Sequence, residues 1–422
     1  MLPKGWTYTT VADACETVSV GIVVNPSTYY VDAPKGVRAF RSGNVRENKV
    51  NDANWVFLSE EGSLKNKKSI LRTGDVLVVR TGFAGTACVV PPEYDGANCI
   101  DILFARPRPK YLLPEYLSQL TNSESGRRQV FAGQTGLAQK HLNVSSYGKM
   151  KFGLPSVTEQ RRVVHVLRTW DHAITVTERL LDNSRQQRRA FVSKVLTGKR
   201  RLERFRSKVR QISTPHGSIP GEWIYPRIES IAHEVSKKHS GGQNYPVLSC
   251  TKHAGLVDSL SYFKKQVFSK DLSTYKVVPK GCFVYATNHI EEGSIGYQDL
   301  YDFGLVSPMY TVFKTSAEVH DSYLYRLLKT EHFRQIFAAA TNSSVDRRGS
   351  LRWNDFKKLH VPLPPMEEQL AIAELLDQAD REIWLLEKKV ASFRDEKNAL
   401  MQQLLTGKRR VHLPEAAEAA SP

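Results

Sequence analysis

Apolar residues recur in two rhythms along this chain of 422 residues. In two stretches they follow alternating steps of four and three. The first runs Val163, Leu167, Trp170, Ile174, Thr177, Leu181, Ser184, Arg188, Phe191 and Val195; the second runs Ile372, Leu376, Ala379, Ile383, Leu386, Val390, Phe393, Lys397, Leu400 and Leu404. Such a seam, about five heptads long, marks helices that pair as a coiled coil. A helix of about 40 residues would be roughly 60 Å long and would overrun a compact domain, so the pattern predicts that the two helices pair with each other. Elsewhere the rhythm shortens. Runs such as Gly74-Asp75-Val76-Leu77-Val78-Val79-Arg80 and Gly281-Cys282-Phe283-Val284-Tyr285 follow turn residues and read as short buried strands. Helical spacing in Pro114–Leu120 and Ser322–Leu328 predicts a short helix late in each globular part.

The long helices are copies of one another. An offset of 209 residues aligns Pro155 with Pro364, Glu159-Gln160 with Glu368-Gln369, Leu167 with Leu376 and Leu196-Thr197-Gly198-Lys199-Arg200-Arg201 with Leu405-Thr406-Gly407-Lys408-Arg409-Arg410, without a gap. The chain is therefore an internal duplication. Each half opens on a similar phrase, Leu2-Pro3-Lys4-Gly5-Trp6 and Ile219-Pro220-Gly221-Glu222-Trp223. Caps and first-turn acids (Ser156, Glu159; Glu367, Glu368) start the helices, and Gly198 and Gly407 end them.

The expected fold class is α+β: two mainly-β or mixed globular domains, 1–154 and 219–363, with long helices over 155–200 and 364–410, a linker at 201–218 and a disordered tail at 411–422. A pseudo-twofold relation between the copies predicts antiparallel helices; parallel pairing is also compatible with the heptads.

Charge narrows the class of partner. Lys and Arg outnumber Asp and Glu by 60 to 43, for a net charge of +17 and a pI near 9.5, which suits a polyanion such as nucleic acid, although basic surfaces also occur on proteins that bind acidic proteins or anionic lipid. The five cysteines are scattered without Cys-x-x-Cys spacing, as in a reduced protein with no zinc module. The Met1–Trp6 start lacks a signal-peptide core, and no apolar run reaches the roughly 18 residues that cross a bilayer. A cytoplasmic location is expected.

The chain has no Gly-x-Gly loop, no Asn/Asp-Pro-Pro-Tyr pocket and no Walker loop. Glu47-Asn48-Lys49 and Asp355-Phe356-Lys357 resemble the end of a nuclease motif but follow no acidic strand, and His165, His172, His289 and His360 lack ligand spacing. Loop residues able to donate to base edges or phosphates remain: Arg41, Arg46, Arg80, Gln134, Gln139, Lys140 and His141 in the first half, and Lys252, His253, Asn288, His289, Arg347 and Arg348 in the second. The basic run Arg185–Arg210 reads either as a phosphate track or as a solvated helix face.

The paired Pro-x-x-x-Glu-Gln helix starts, the paired Leu-Thr-Gly-Lys-Arg-Arg ends, the Pro-x-Gly-Trp or Pro-Gly-x-Trp openings, and Gly74-Asp75-Val76-Leu77 and Gly293-Ser294-Ile295-Gly296 together resemble the specificity subunits of type I restriction-modification systems. The likeness spans the whole chain and is strongest in the helices. It implies two target recognition domains, each reading one half of a bipartite site in double-stranded DNA, with an antiparallel coiled coil setting the spacer. It also implies a non-catalytic subunit that docks two methyltransferase subunits and, through the complex, restriction/translocase subunits, with S-adenosylmethionine, ATP and Mg used by those partner chains. One departure is that Gly281-Cys282-Phe283 stands where the first half has Gly74-Asp75-Val76, so Asp75 receives no role. Two alternatives stay open: the recognition subunit of a type IIB-like enzyme, and a duplicated basic scaffold for acidic proteins.

Overall fold

The computed structural model describes residues 2–33, 36–132, 134–135, 141–206, 210–241, 243–341 and 349–411, without the side chains of 134 and 135. The chain forms two compact units, Met1–Arg179 with Leu386–Pro422, and Leu180–Leu385. Each unit contains a segment of both long helices, Val157–Leu196 and Met366–Leu404.

The first unit is built on a four-stranded antiparallel sheet in the order Cys15–Val20, Ile102–Pro107, Val76–Val79, Ala87–Val89. All of Val76–Val79 is buried, and its alternation divides two cores. Val76 and Val78 pack with Tyr116, Leu117, Val163, Leu167 and Leu404, whereas Leu77 and Val79 pack with Phe40, Cys88 and Phe104. Beneath the second face lies a smaller sheet of Asn98–Cys99, Val37–Phe40, Val56–Leu58 and Tyr30–Val31.

The second unit repeats the first sheet with other residues: Ala232–Glu234, Tyr310–Thr315, Phe283–Ala286, Ile295–Tyr297, again antiparallel. Here too the central strand alternates. Phe283 and Tyr285 join Tyr323, Phe337, Phe356, Leu196, Ile372 and Leu376, while Val284 faces Leu248 and Val312. The expected short helices form as Pro114–Asn122 and Asp321–Leu328. The stretch read as a linker, 201–218, contains most of a hairpin pairing Gln211–Thr214 with Gly217–Pro220. Its turn holds Pro215 and a Gly217 at φ +120°. The tail at 412–422 lies outside the described residues.

Within each unit the helix segments run antiparallel, which resolves the direction of pairing. In the first, Trp170 meets Phe393 edge-on at 5.6 Å, Asp171 Oδ1 accepts from Lys397 Nζ at 2.6 Å, and Glu178 Oε1 from Arg394 Nη2 at 2.5 Å. In the second, Arg188 bonds Asp380. The polar seam positions Arg188 and Lys397 are thus duplicates of each other, each paired with a duplicated aspartate. Of the apolar seam residues, Val163, Leu167, Leu181, Ile372, Leu376, Leu386 and Val390 are buried, and Trp170, Ile174 and Ile383 are partly buried.

The repeated motifs meet in space as a clasp in each unit. Glu159, 1% exposed, accepts Trp6 Nε1 at 3.1 Å and Arg410 Nε and Nη2 at 3.0 and 2.8 Å. Glu368, fully buried, accepts Trp223 Nε1 at 3.0 Å and Arg201 Nε and Nη2 at 3.0 and 2.7 Å. First-turn acidity therefore has a second use here: both carboxylates point inward and join the opening phrase to the basic helix end. The neighbouring glutamines bind main chain. Gln160 bonds Leu113 N, Tyr111 O and Pro155 O; Gln369 bonds His320 N, Glu318 O and Pro364 O. Gly198 and Gly407, at φ +71° and +73°, turn the chain out of the helices. A Cβ there would lie 2.4 Å from Pro220 and 2.5 Å from Pro3, so glycine is needed for space as well as conformation.

Candidate nucleic-acid interface

In both units the described candidate residues lie about the end of the sheet where an inner strand turns into an edge strand. In the first, Arg80 begins the connection from Val76–Val79 to Ala87–Val89, and its Nη1 bonds Asp101 Oδ1 at 2.9 Å. Asp101 sits at φ +51° and, with Ile100, forms one wall of a hollow of about 460 Å³ whose other lining includes Arg41 and Arg46. Arg41 Nη2 donates to Asn54 O at 3.1 Å and Arg46 Nη1 to Val45 O at 2.9 Å, and both side chains lie at the surface. His141 Nδ1 lies 2.8 Å from Thr81 Oγ1, and Leu142 N bonds Arg80 O at 3.0 Å. Gln134 lies in the short strand Gln134–Thr135 that pairs with His141–Leu142. Gln139 and Lys140 fall outside the described residues. Arg41, Arg46, Arg80 and His141 are therefore brought to one edge.

The second unit uses the equivalent connection. Asn288 and His289 lie between Phe283–Ala286 and Ile295–Tyr297. Leu351 N bonds Thr287 O at 2.7 Å, as Leu142 bonds Arg80; Arg347 and Arg348 fall outside the described residues. Lys252 and His253 form an exposed hairpin tip between Leu248–Thr251 and Gly255–Asp258. Lys329 Nζ ties that tip to the loop by donating to Lys252 O and Gly293 O, both at 2.8 Å. Lys329 was not visible as a site residue in the sequence, because it lies just past a helix far along the chain. The second edge is more acidic than the first. His289, Glu291 and Glu292 bring their potential ligand atoms within 4.8 Å of one another despite their lack of recognisable spacing. His289 Nδ1 is 3.4 Å from Glu292 Oε1, and both side chains are about half exposed.

Among the described residues, both edges are open. Guanidiniums, amides and an imidazole on open loops can meet phosphates and base edges, and sheet-borne loops hold them in fixed relation. The five thiols are free and largely buried. Burial pushes Cys15, Cys88 and Cys250 up to about 12, with Cys99 and Cys282 also raised, so they stay protonated at neutral pH.

Residues 233–392 match the type I restriction modification DNA specificity domain. Over 288 residues the chain is 24% identical to the type I restriction enzyme MjaVIII specificity subunit of Methanocaldococcus jannaschii, a match spanning 65% of this chain and 66% of that protein. It is 21% identical to the putative type I restriction enzyme MjaX specificity subunit of the same organism, over 97% of this chain and 95% of the relative. In fold it is similar to a solved chain from work on complex assembly and conformational transition of the type I R-M system. There the TM-score is 0.59 at 16% identity, with 97% of this chain and 100% of that one covered. The chain is thus similar, through the domain matched at 233–392 and more weakly along its length, to specificity subunits of type I restriction-modification systems.

Proposed function

We propose that each unit reads one half of a bipartite duplex site through the loops at its sheet edge. The observation that carries this reading is the equivalence of the two edges: one sheet order, one connection, one neighbouring loop, but unlike side chains. Phosphate contacts from the surrounding Lys and Arg supply affinity, and the loop residues discriminate bases. The paired helices set the distance between half-sites and dock two methyltransferase subunits, and restriction/translocase subunits join through the complex. Methyl transfer, cleavage and the use of S-adenosylmethionine, ATP and Mg belong to those partner chains. No described helix is long and apolar enough to cross a membrane, in keeping with work on cytoplasmic DNA.

The test is selection from randomised duplexes by the full chain with its methyltransferase partner. Two short unlike motifs at a fixed spacing are expected, and the absence of any enriched motif sinks the proposal. Arg80→Ala should weaken binding by about tenfold or more and relax preference at positions in one half-site only, given that a good side-chain to base contact is worth ~1–3 kcal/mol. Asn288→Ala should relax only the other half.

A further inference from the structure

We infer that Phe83 is a wedge that enters a base step of duplex DNA at the half-site read by the first unit; this rests on the DNA-reading function proposed above. Phe83 stands at the tip of the connection that begins with Arg80, and it is 87% exposed. Single exposed apolar residues are ordinary on protein surfaces. This one differs because its backbone is held. Phe83 O accepts from Thr86 N at 3.2 Å and from Thr86 Oγ1 at 2.9 Å, Gly85 N donates to Val79 O at 2.9 Å, and Val79 N donates to Thr86 O at 2.9 Å. Ala84, 1% exposed, packs into the core beside the ring's own backbone, and Thr86 is 8% exposed. Gly82 and Gly85, at φ +77° and +86°, let the chain reverse on either side of Phe83. The loop is thus fastened at its base while its aromatic ring projects into water.

The side chains on the same edge point to its occupant. Arg80 is in the same loop, and His141 sits on Thr81. Arg41 and Arg46 line the adjoining hollow with the Asp101 that Arg80 bonds. An exposed apolar ring on the same sheet edge as cationic and imidazole side chains is the combination by which wedge residues part stacked bases while nearby cations hold the phosphates. Such wedges favour pyrimidine–purine steps, which unstack most readily. The equivalent loop of the second unit is built otherwise. Its large apolar residue, Ile290, is fully buried, and it presents Asn288, His289 and Glu292 instead. The distortion should therefore be confined to one half-site.

The experiment uses the full chain with its methyltransferase partner, bound to its selected duplex, with 2-aminopurine placed singly at each position of both half-sites. Wild type is expected to raise emission severalfold at one step of one half-site, and that step should be TA, CA or TG. Phe83→Ala should return emission to the level of free duplex and weaken specific binding about tenfold, with the salt dependence unchanged because no phosphate contact is lost. Phe83→Trp should restore both. Because the ring is exposed, the alanine variant should keep the wild-type melting temperature. A selected site with flat emission, or emission unchanged in Phe83→Ala, overturns the wedge and leaves the DNA-reading function intact. Failure of Phe83→Ala to hold the methyltransferase chain in the absence of DNA would show that the ring seats on that protein, and also overturns it. If wild type selects no site, the underlying function falls and the wedge with it.

Discussion

The central strands of the two units start from different chemistry and reach the same place. In the first, Asp75 is fully buried just before Val76–Val79 and takes Arg106 Nε and Nη2 at 2.8 and 2.7 Å, with Arg72 N at 2.8 Å. In the second, Cys282 occupies the matching position, fully buried and neutral. The registers Ala105 to Val76 and Phe313 to Phe283 make Lys314 the counterpart of Arg106. Lys314 lies exposed, whereas the Arg106 side chain is only 19% exposed. A buried carboxylate draws its cation inward because an unpaired charge there is costly; a thiol lets the cation go. The departure between Asp75 and Cys282 therefore changes how each sheet is stabilised.

This contrast can be broken most forcefully at Asp75. Asp75→Ala strands Arg106 and should destabilise the first unit by ~3–5 kcal/mol, with Asp75→Ala plus Arg106→Met recovering most of the loss. Cys282→Ala should cost far less. Hydrogen exchange resolved to 76–79 and 283–286 reads each effect separately, and equal losses in the two units would contradict the comparison.

The clasps give the next largest effect. Glu368→Ala leaves the Trp223 N–H without its buried acceptor and takes from Arg201 its buried carboxylate, with Glu222 still bound to it, at a cost of ~2–4 kcal/mol. Glu159→Ala should cost less, because the Arg410 side chain is 41% exposed and that of Arg201 10%. Urea unfolding followed by exchange in each unit ranks them, and the reverse order would show that exposure of the arginine does not set the cost.

A smaller asymmetry lies in acid. Burial raises the Asp380 pKa, but hydrogen bonds from Arg188 and Arg326 outweigh it and hold the group below the usual carboxylate range. Its contribution is thus complete above the unfolded value of about 4 and is lost as pH falls through the lower folded value. Asp380→Asn should flatten the acid limb of the second unit's stability curve and leave the first unit's unchanged; an unaltered limb would remove Asp380 from the account.

How far these features were legible depended on how local they were. The heptads and the glycine ends are periodic or adjacent signals, and they appear in the structure as long helices ending at Leu196 and Leu404. Trp6, Glu159 and Arg410 each belong to a repeated motif, yet their joint purpose requires residues 251 apart in sequence to touch. The candidate loops were selected by residue type. That the Arg80 loop and the Asn288 loop are the same connection is visible only through strand order. Phe83 carried no signal at all, since an apolar residue in a strand-rich stretch reads as core until its exposure is seen. The hairpin at 211–220 was hidden by the basic run before it, although Pro215 and Gly217 mark its turn.

The first clasp also has a consequence for synthesis. The first unit takes its closing helix segment, including Met401, Leu404 and Leu405 of its core, from beyond Leu385. On a ribosome making about 5–20 residues each second, the first globular part waits roughly 10–40 s, while the second unit is made, before that segment exists. The part of the protein that is made first is finished last, and during that interval Val163, Val164 and Leu167 have no second helix to cover them.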